Sequence, residues 1–463
     1  MTRYWRSWKI TAFSFVNRIP DLLSGRWFAG DNNRALQFFN ISRFSANFLS
    51  GWVLVKAGLP IAEISVYEAL LFLGNLFTFF WHSGGQNALI SFYPKITSEQ
   101  RSRLLFNAFF LFCCLSLVSA GCLWWSRDFI AGHFRQFESL PYMGWLCVYV
   151  ALNVPAYLLH IFFLLDNEPE RIVRYAFWSF GAQFLVVIAP VLSGWGLRPV
   201  FAGLALLAAL RFAYTLMVLR RKNTFVVDPV LLRVWGLMTI PLSLHVLAGS
   251  GMEYVDGWIV NNYFSDPGAF AVFRYGAREL PLIPLVLGAL ITSSIPLIAA
   301  DREGGPARLK EQTLALARWM YPLGIALLFL SPVLFPLVYD EQFVTSAWLF
   351  NIYLLILACR FLLPQVILIG LGERYILVIS AVLETMLNIG LSLWWVRLYG
   401  LWGIAAATVA ANAFNKFNLI LYCRFKLKIA PQAYIPWRPL LLLNLALGLS
   451  FYLSYLVFWT RTI

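Results

Sequence analysis

Five charged residues lie on either side of the turn in one long apolar stretch, Gly251 to Pro296. Glu253 and Asp256 precede a short turn at Phe264–Gly268, and Arg274, Arg278 and Glu279 follow it. A charge inside hydrocarbon is costly, so it is either paired or kept for a substrate, an ion or a proton. In an antiparallel hairpin, residues at equal depth share a constant index sum. Asp256 with Arg274 and Glu253 with Arg278 have sums of 530 and 531. The spacings i,i+3 and i,i+4 put each pair of like charges on one helical face. The pattern therefore predicts structural ion pairs among Glu253, Asp256, Arg274 and Arg278, with Arg278 also placed to meet a ligand.

Further charges lie in other apolar runs: Arg43, Arg211, Arg318, Arg360 and Lys416, with the acids Glu68 and Glu384. Arg211 is about nine residues inside its run, roughly 14 Å at 1.5 Å per residue, and Lys416 is roughly 10 Å deep by the same count. Neither Arg211 nor Arg360 has an acid within a turn or two on its own helix. Asn412, Asn415 and Asn418 repeat at i,i+3 and form one polar face beside Lys416. Such amides serve either a hydroxyl-rich ligand or contacts between helices. Four histidines and six cysteines form no ligand or disulfide spacing, so no metal site is expected.

The elements that must carry these residues follow from composition. The 463-residue chain is 60% hydrophobic and only 13% charged, whereas soluble domains carry roughly 25% charged residues. This predicts an all-α polytopic membrane protein. Apolar runs near the ~20 residues that a bilayer requires fall at 35–57, 61–93, 103–125, 141–165, 172–193, 199–220, 232–262, 268–299, 312–337, 345–369, 375–396, 401–423 and 438–459. The second and eighth are too long for one straight crossing, so they either protrude or bend near Gly84–Gly85 and at Pro281 and Pro284.

The net charge of +14 does not point to nucleic acid, because the cations are dispersed between apolar runs. With the N-terminus in the cytosol, 23 Lys and Arg fall in cytosolic segments, six in external ones and seven inside spans. That asymmetry is the positive-inside pattern. The expected organisation is a basic amphipathic segment (1–34), a six-helix bundle (35–220), a cytosolic linker (221–231), a second six-helix bundle (232–423), and a basic linker with one more span (424–463). External and cytosolic connections reach only about 15 and 14 residues. There are no paired carboxylates and no nucleotide-binding loop, so catalysis is not expected.

The halves resemble each other at an offset of about 206 residues. NEPERIVRYAFW (167–178) is similar to GERYILVISAVL (372–383), and Gly196-Leu197 with Gly203 parallels Gly400-Leu401 with Gly403. Gln183 then falls opposite Asn388, and Arg211 opposite Lys416. An even number of spans per half makes the repeats parallel, an architecture of alternating-access transporters.

Three segments carry a family resemblance: FFNISRFSANFLSGWVLV (38–55), EYVDGWIVNNYFSDPGAFAVFRYGA (253–277) and LYGLWGIAAATVAANAF (398–414). The chain resembles the bacterial oligosaccharide-lipid (O-antigen/polysaccharide) flippases of the multidrug/oligosaccharidyl-lipid/polysaccharide exporter superfamily. The resemblance covers roughly 35–425. It implies two six-helix bundles around a central cavity in the bacterial cytoplasmic membrane. It also implies a lipid-diphosphate-linked glycan as cargo, coupling to an ion gradient or the membrane potential, no cofactor, and contact with membrane lipids and other polysaccharide-assembly proteins. Under it, Arg43, Arg211, Arg278, Arg360, Lys416, Asn412 and Asn415 become the substrate-binding candidates, because arginine's planar fork suits phosphate. Glu68, Asp256 and Glu384 become the candidates for proton or sodium coupling. A cation-coupled multidrug exporter of the same superfamily is the alternative.

Overall fold

A backbone in hydrocarbon must satisfy its own N–H and C=O groups, and a helix does so within one segment. The computed structural model describes residues 31–459, apart from 138–139, 223–224, 280–281 and 374. Among these, every regular element is helical. The amphipathic reading of 1–34 lies almost wholly outside the described residues.

The first compact unit comprises Met1–Ala131 and Ser139–Leu244. Its helices are α1 (Asn32–Lys56), α2 (Ile61–Leu76), α3 (Phe79–Phe92), α4 (Ser98–Trp125), α5 (Arg127–His133), α6 (Met143–Ala156), α7 (Leu159–Leu165), α8 (Pro169–Leu192), α9 (Leu197–Lys222) and the first part of α10 (Pro229–Tyr263). Local signals set the helix starts. Asp31 caps α1 by accepting from the Arg34 amide at 3.0 Å. Thr97 and Gln100 form a reciprocal capping box on α4. Asp228 accepts from the amides of Val230 and Leu231, both at 3.1 Å, to begin α10. Buried Asn107 on α4 holds that approach, donating to the Val226 carbonyl at 2.9 Å and accepting from the Asp228 amide at 2.9 Å.

The second unit comprises Gly132–Glu138 and His245–Ile463. It holds the rest of α10, then α11 (Ala269–Gly276), α12 (Leu282–Ala300), α13 (Gly304–Val338), α14 (Val344–Leu354), α15 (Leu357–Arg360), α16 (Pro364–Gly370), α17 (Tyr375–Tyr399), α18 (Leu401–Phe425), α19 (Pro431–Tyr434) and α20 (Trp437–Ser454). The last span packs on α13. Tyr321 donates to Asn444 at 2.5 Å, and Ser454 to the Leu328 carbonyl at 2.7 Å.

Thirteen runs were expected to cross. Among the described residues, ten helices are long and apolar enough, and an eleventh is the bent pair Ile61–Leu76 with Phe79–Lys95. The other two runs are α1 and the α11–α12 pair. The 25-residue α1 carries Asn40, Ser42, Arg43, Ser45, Asn47 and Ser50 in its middle, which lowers its hydropathy without shortening it. The eighth run is broken between α11, which ends at Gly276, and α12, which begins at Leu282; of the two expected bend positions, Pro281 lies outside the described residues and Pro284 falls within α12, just past the break. The bend in the second run is a correction. It lies at Phe77–Thr78, with an angle of 48°, and not at Gly84–Gly85. Those glycines instead admit neighbours. A Cβ on Gly84 would overlap the backbone of Ser243 on α10, and one on Gly85 the ring of Phe112 on α4.

The repeat has a structural counterpart. Gly196 and Gly400 both take positive φ, 74° and 60°, at the turns of the α8–α9 and α17–α18 hairpins. Gly203 and Gly403 then sit one or two turns along, where a Cβ would collide with Val186 and with the Trp395 carbonyl. Each glycine lets its hairpin close tightly. Runs 141–165 and 345–369 are both interrupted, as α6–α7 and as α14–α15–α16.

Candidate functional site

In the first unit, the site centres on Arg211 of α9. It is 4% exposed. Its Nη1 donates to Asn153 Oδ1 on α6 at 2.8 Å. Its Nη2 donates to the Ser179 carbonyl at 2.8 Å and to Gln183 Oε1 at 3.0 Å, both on α8. Gln183 in turn donates to Asn47 on α1 at 2.8 Å. All these partners are neutral, and the buried Nε has none. Arg211 makes no ion pair among the described residues, so a full positive charge is solvated only by dipoles. The break that follows Pro155 in α6 begins at Tyr157, whose hydroxyl lies near the Arg43 guanidinium of α1. His160 stacks on Phe39 at 4.0 Å between ring centroids, and His82 meets Gln86 at 3.2 Å and the Tyr157 ring edge-on at 5.8 Å. Asn153, Tyr157, His82 and His160 were not singled out by sequence. An Asn two residues before Pro155 in an otherwise apolar run was the available signal.

In the second unit, α17 and α18 face each other with polar residues every fourth position. Ser380, Glu384, Asn388 and Ser392 line α17, and Thr408, Asn412 and Lys416 line α18. Asp256 of α10 enters at one end and is 2% exposed. It accepts from Thr408 Oγ1 at 2.6 Å and from Ser392 Oγ at 3.3 Å. Asn388 donates to Thr408 Oγ1 at 3.2 Å, and its own Oδ1 is buried without a partner. Carboxylate, hydroxyl and amide oxygens thus converge within one buried cluster. Ser392 and Thr408 were missed, although the four-residue polar period on α17 was there to be read.

Two turns away, Glu384 accepts from Asn412 Nδ2 at 3.1 Å and from Asn415 Nδ2. Ser380 donates to Asn415 Oδ1 at 2.6 Å, and Asn418 to Ser380 at 3.2 Å. The Asn412 and Asn415 side chains, expected to meet cargo, thus donate to Glu384, while Asn412 Oδ1 is buried without a partner. Lys416, 7% exposed, donates to Gln365 on α16 at 3.1 Å.

The expected pairings change partners. Arg274 Nη1 donates to Glu253 Oε1 at 2.9 Å, one turn out of the index-sum register that assigned it to Asp256. The eight-residue α11 breaks before a regular hairpin register can be set, while hydroxyls on α17 and α18 take the Asp256 carboxylate. Arg278 donates its Nε to the Arg274 carbonyl at 2.7 Å and lies over the Tyr275 ring at 5.2 Å, which departs from the expected Glu253 pairing. Arg360, with no acid within a turn or two on its own helix, was expected to meet cargo. Its Nε reaches Glu279 Oε1 at 2.9 Å, and its Nη2 reaches the same oxygen. The acid comes from the α11–α12 break, 81 residues away, so no local spacing revealed it. Arg360 is thereby neutralised, and its likeness to Arg211 ends there. Glu68 on α2 is buried at 8% exposure.

Helices of spanning length, two units with matching hairpins and interrupted spans, and buried polar clusters within each unit define a polytopic all-α membrane protein. No protein-family model and no curated protein matches the sequence. Solved structures do. The lipid II flippase MurJ in an inward closed conformation is 16% identical over 91% of this chain and 92% of its own, with a TM-score of 0.66. An inward-facing multidrug resistance MATE family transporter of the MOP superfamily is 14% identical over 85% and 98%, with a TM-score of 0.61. The Vibrio cholerae MATE transporter VcmN, as a mutant, is 11% identical over 88% and 98%, with a TM-score of 0.57. The fold is the one shared by that flippase and the MATE transporters.

Proposed function

We propose that this chain is a transporter that flips a lipid-diphosphate-linked oligosaccharide across the bacterial cytoplasmic membrane by alternating access, for assembly of cell-surface polysaccharide. The N-terminus is cytosolic in this reading. Membrane lipids and other polysaccharide-assembly proteins are its neighbours. The observation that carries the proposal is Arg211, a buried guanidinium with neutral partners and an unused Nε. A drug exporter that handles cations gains nothing from such a group, whereas a diphosphate gains a charge-assisted, geometrically matched partner. Arg43 contributes a second cation to the same unit. Asp256, with Ser392, Thr408 and Asn388, is the proposed site of the coupling sodium or proton.

The test is flipping of a labelled lipid-diphosphate oligosaccharide in proteoliposomes. Arg211→Ala should slow flipping by about tenfold or more, the worth of one hydrogen-bonded charge at roughly 1.5–3 kcal/mol. Arg211→Lys should recover little, because an ammonium cannot reach Asn153, Ser179 and Gln183 together in the plane of a guanidinium. Unchanged flipping by Arg211→Ala would defeat the cargo role. Export of a cationic dye with no glycan flipping would favour the multidrug alternative.

A further inference from the structure

The α8–α9 hairpin has a second feature, which shares Arg211 with the transport proposal. Between its two helices lies a groove of about 680 Å³, lined by Arg171, Arg174, Trp178, Tyr214, Met217 and Arg221, with Arg211 closing its deep end. The lining residues of α8 and α9 run antiparallel, with Tyr175 stacked on Tyr214 and Arg211 reaching the Ser179 carbonyl across the hairpin. The groove therefore runs straight down the hairpin from the face where α8 begins and α9 ends. From Arg221 to Arg211 is ten residues, about 15 Å at 1.5 Å per residue. That is half of the roughly 30 Å hydrocarbon core, the depth of one leaflet.

Its chemistry is graded along that depth. Arg171, Arg174 and Arg221 are exposed at the rim. Arg171 is held by Glu168 at 3.1 Å. Arg174 and Arg221 make no ion pair among the described residues. Below them the wall is apolar and open: Trp178 is 71% exposed, Leu210 61% and Met217 51%. Tyr175 and Tyr214 stack across the groove at 6.4 Å. A free phosphate would satisfy the rim and leave this wall bare. A lipid covers both, and the rim's excess of positive charge selects an anionic one.

We propose that this groove binds an anionic phospholipid of the leaflet on that face, its phosphate on Arg174 and Arg221 and an acyl chain along Trp178, Leu210 and Met217. The proposal stands whether or not the chain flips a glycan. The test is native mass spectrometry of the delipidated full chain titrated with phosphatidylglycerol or phosphatidylcholine. Phosphatidylglycerol should bind in preference. The exposed-rim variant Arg174→Gln with Arg221→Gln should weaken it by about tenfold or more, at about 1 kcal/mol for each basic residue near the surface. A control variant, Arg424→Gln with Lys426→Gln, removes the same charge elsewhere and should leave binding unchanged. A phosphatidylglycerol with a photoreactive acyl chain should crosslink to Trp178 or Met217. Equal weakening by both variants, or equal binding of phosphatidylcholine, would overturn the proposal. So would displacement of the bound phospholipid by a short prenyl diphosphate, since the groove would then be a cargo site.

Discussion

Arg211, which is buried, and Arg360, which is half-buried, show how differently two arginines within apolar runs can be used. Arg360 has a carboxylate from Glu279, and an ion pair with both partners present is a structural tie whose loss would leave a partly desolvated charge unmatched. Arg211 has only neutral oxygens, and its positive field remains available. Asp256 is the acidic counterpart in the second unit, held by hydroxyls where a salt bridge was expected. Asp256→Asn keeps the shape and the hydrogen-bonding capacity of the site but removes the charge. It should therefore preserve folding and abolish the dependence of transport on a sodium or proton gradient. Thr408→Val should keep that dependence while weakening the apparent affinity for the ion by roughly fivefold, about 1 kcal/mol for one hydrogen bond. Both are read from transport rates in proteoliposomes under imposed gradients. Gradient dependence that survives Asp256→Asn would shift the coupling role to Glu68 or Glu384.

At the level of elements, the helices are local products of apolar length and capping, and their fit depends on a few small residues. Gly84 is the clearest case, because a Cβ there would meet the backbone of Ser243 and not a movable side-chain tip. Gly84→Ala should destabilise the protein by about 1–3 kcal/mol through overpacking between α3 and α10. Gly121→Ala, on α4 with nothing within 4 Å of the added carbon, should be neutral or stabilising, since alanine is the better helix former by about 1 kcal/mol. Thermal unfolding in detergent of the two variants separates the effects. A Gly84→Ala protein as stable as the parent would mean that α3 and α10 can move apart freely. The interrupted elements have a different logic. Where α11 ends and α12 has not begun, Glu279 is freed from helical register and can reach Arg360.

For the whole molecule, the proposed orientation in the membrane rests on the 23 Lys and Arg of one set of connections against six of the other. Glu99 and Asp128 flank the same helix, α4, with side chains 78% and 86% exposed. In a cysteine-free background, Asp128→Cys should react with a membrane-impermeant maleimide added to intact cells, and Glu99→Cys only after permeabilisation. The reverse pattern would invert the topology and place the Arg174–Arg221 rim in the outer leaflet.

The membrane class, the helical content and the placement of most spans were legible in the chain because each depends on a local property. A run of apolar residues long enough to cross hydrocarbon is a helix wherever it lands. Thus 172–193 is realised as Pro169–Leu192, and 401–423 as Leu401–Phe425. The hairpin glycines of the repeat were legible for the same reason. The partners of the buried charges were not. Asp256 meets Ser392 and Thr408 across 136 and 152 residues, and Arg360 meets Glu279 across 81. Index sums work only inside an unbroken hairpin and fail at α11, where the helix stops after eight residues. Which charges are matched and which stay open is a property of helices brought together from distant parts of the chain, so it emerged only once they were packed.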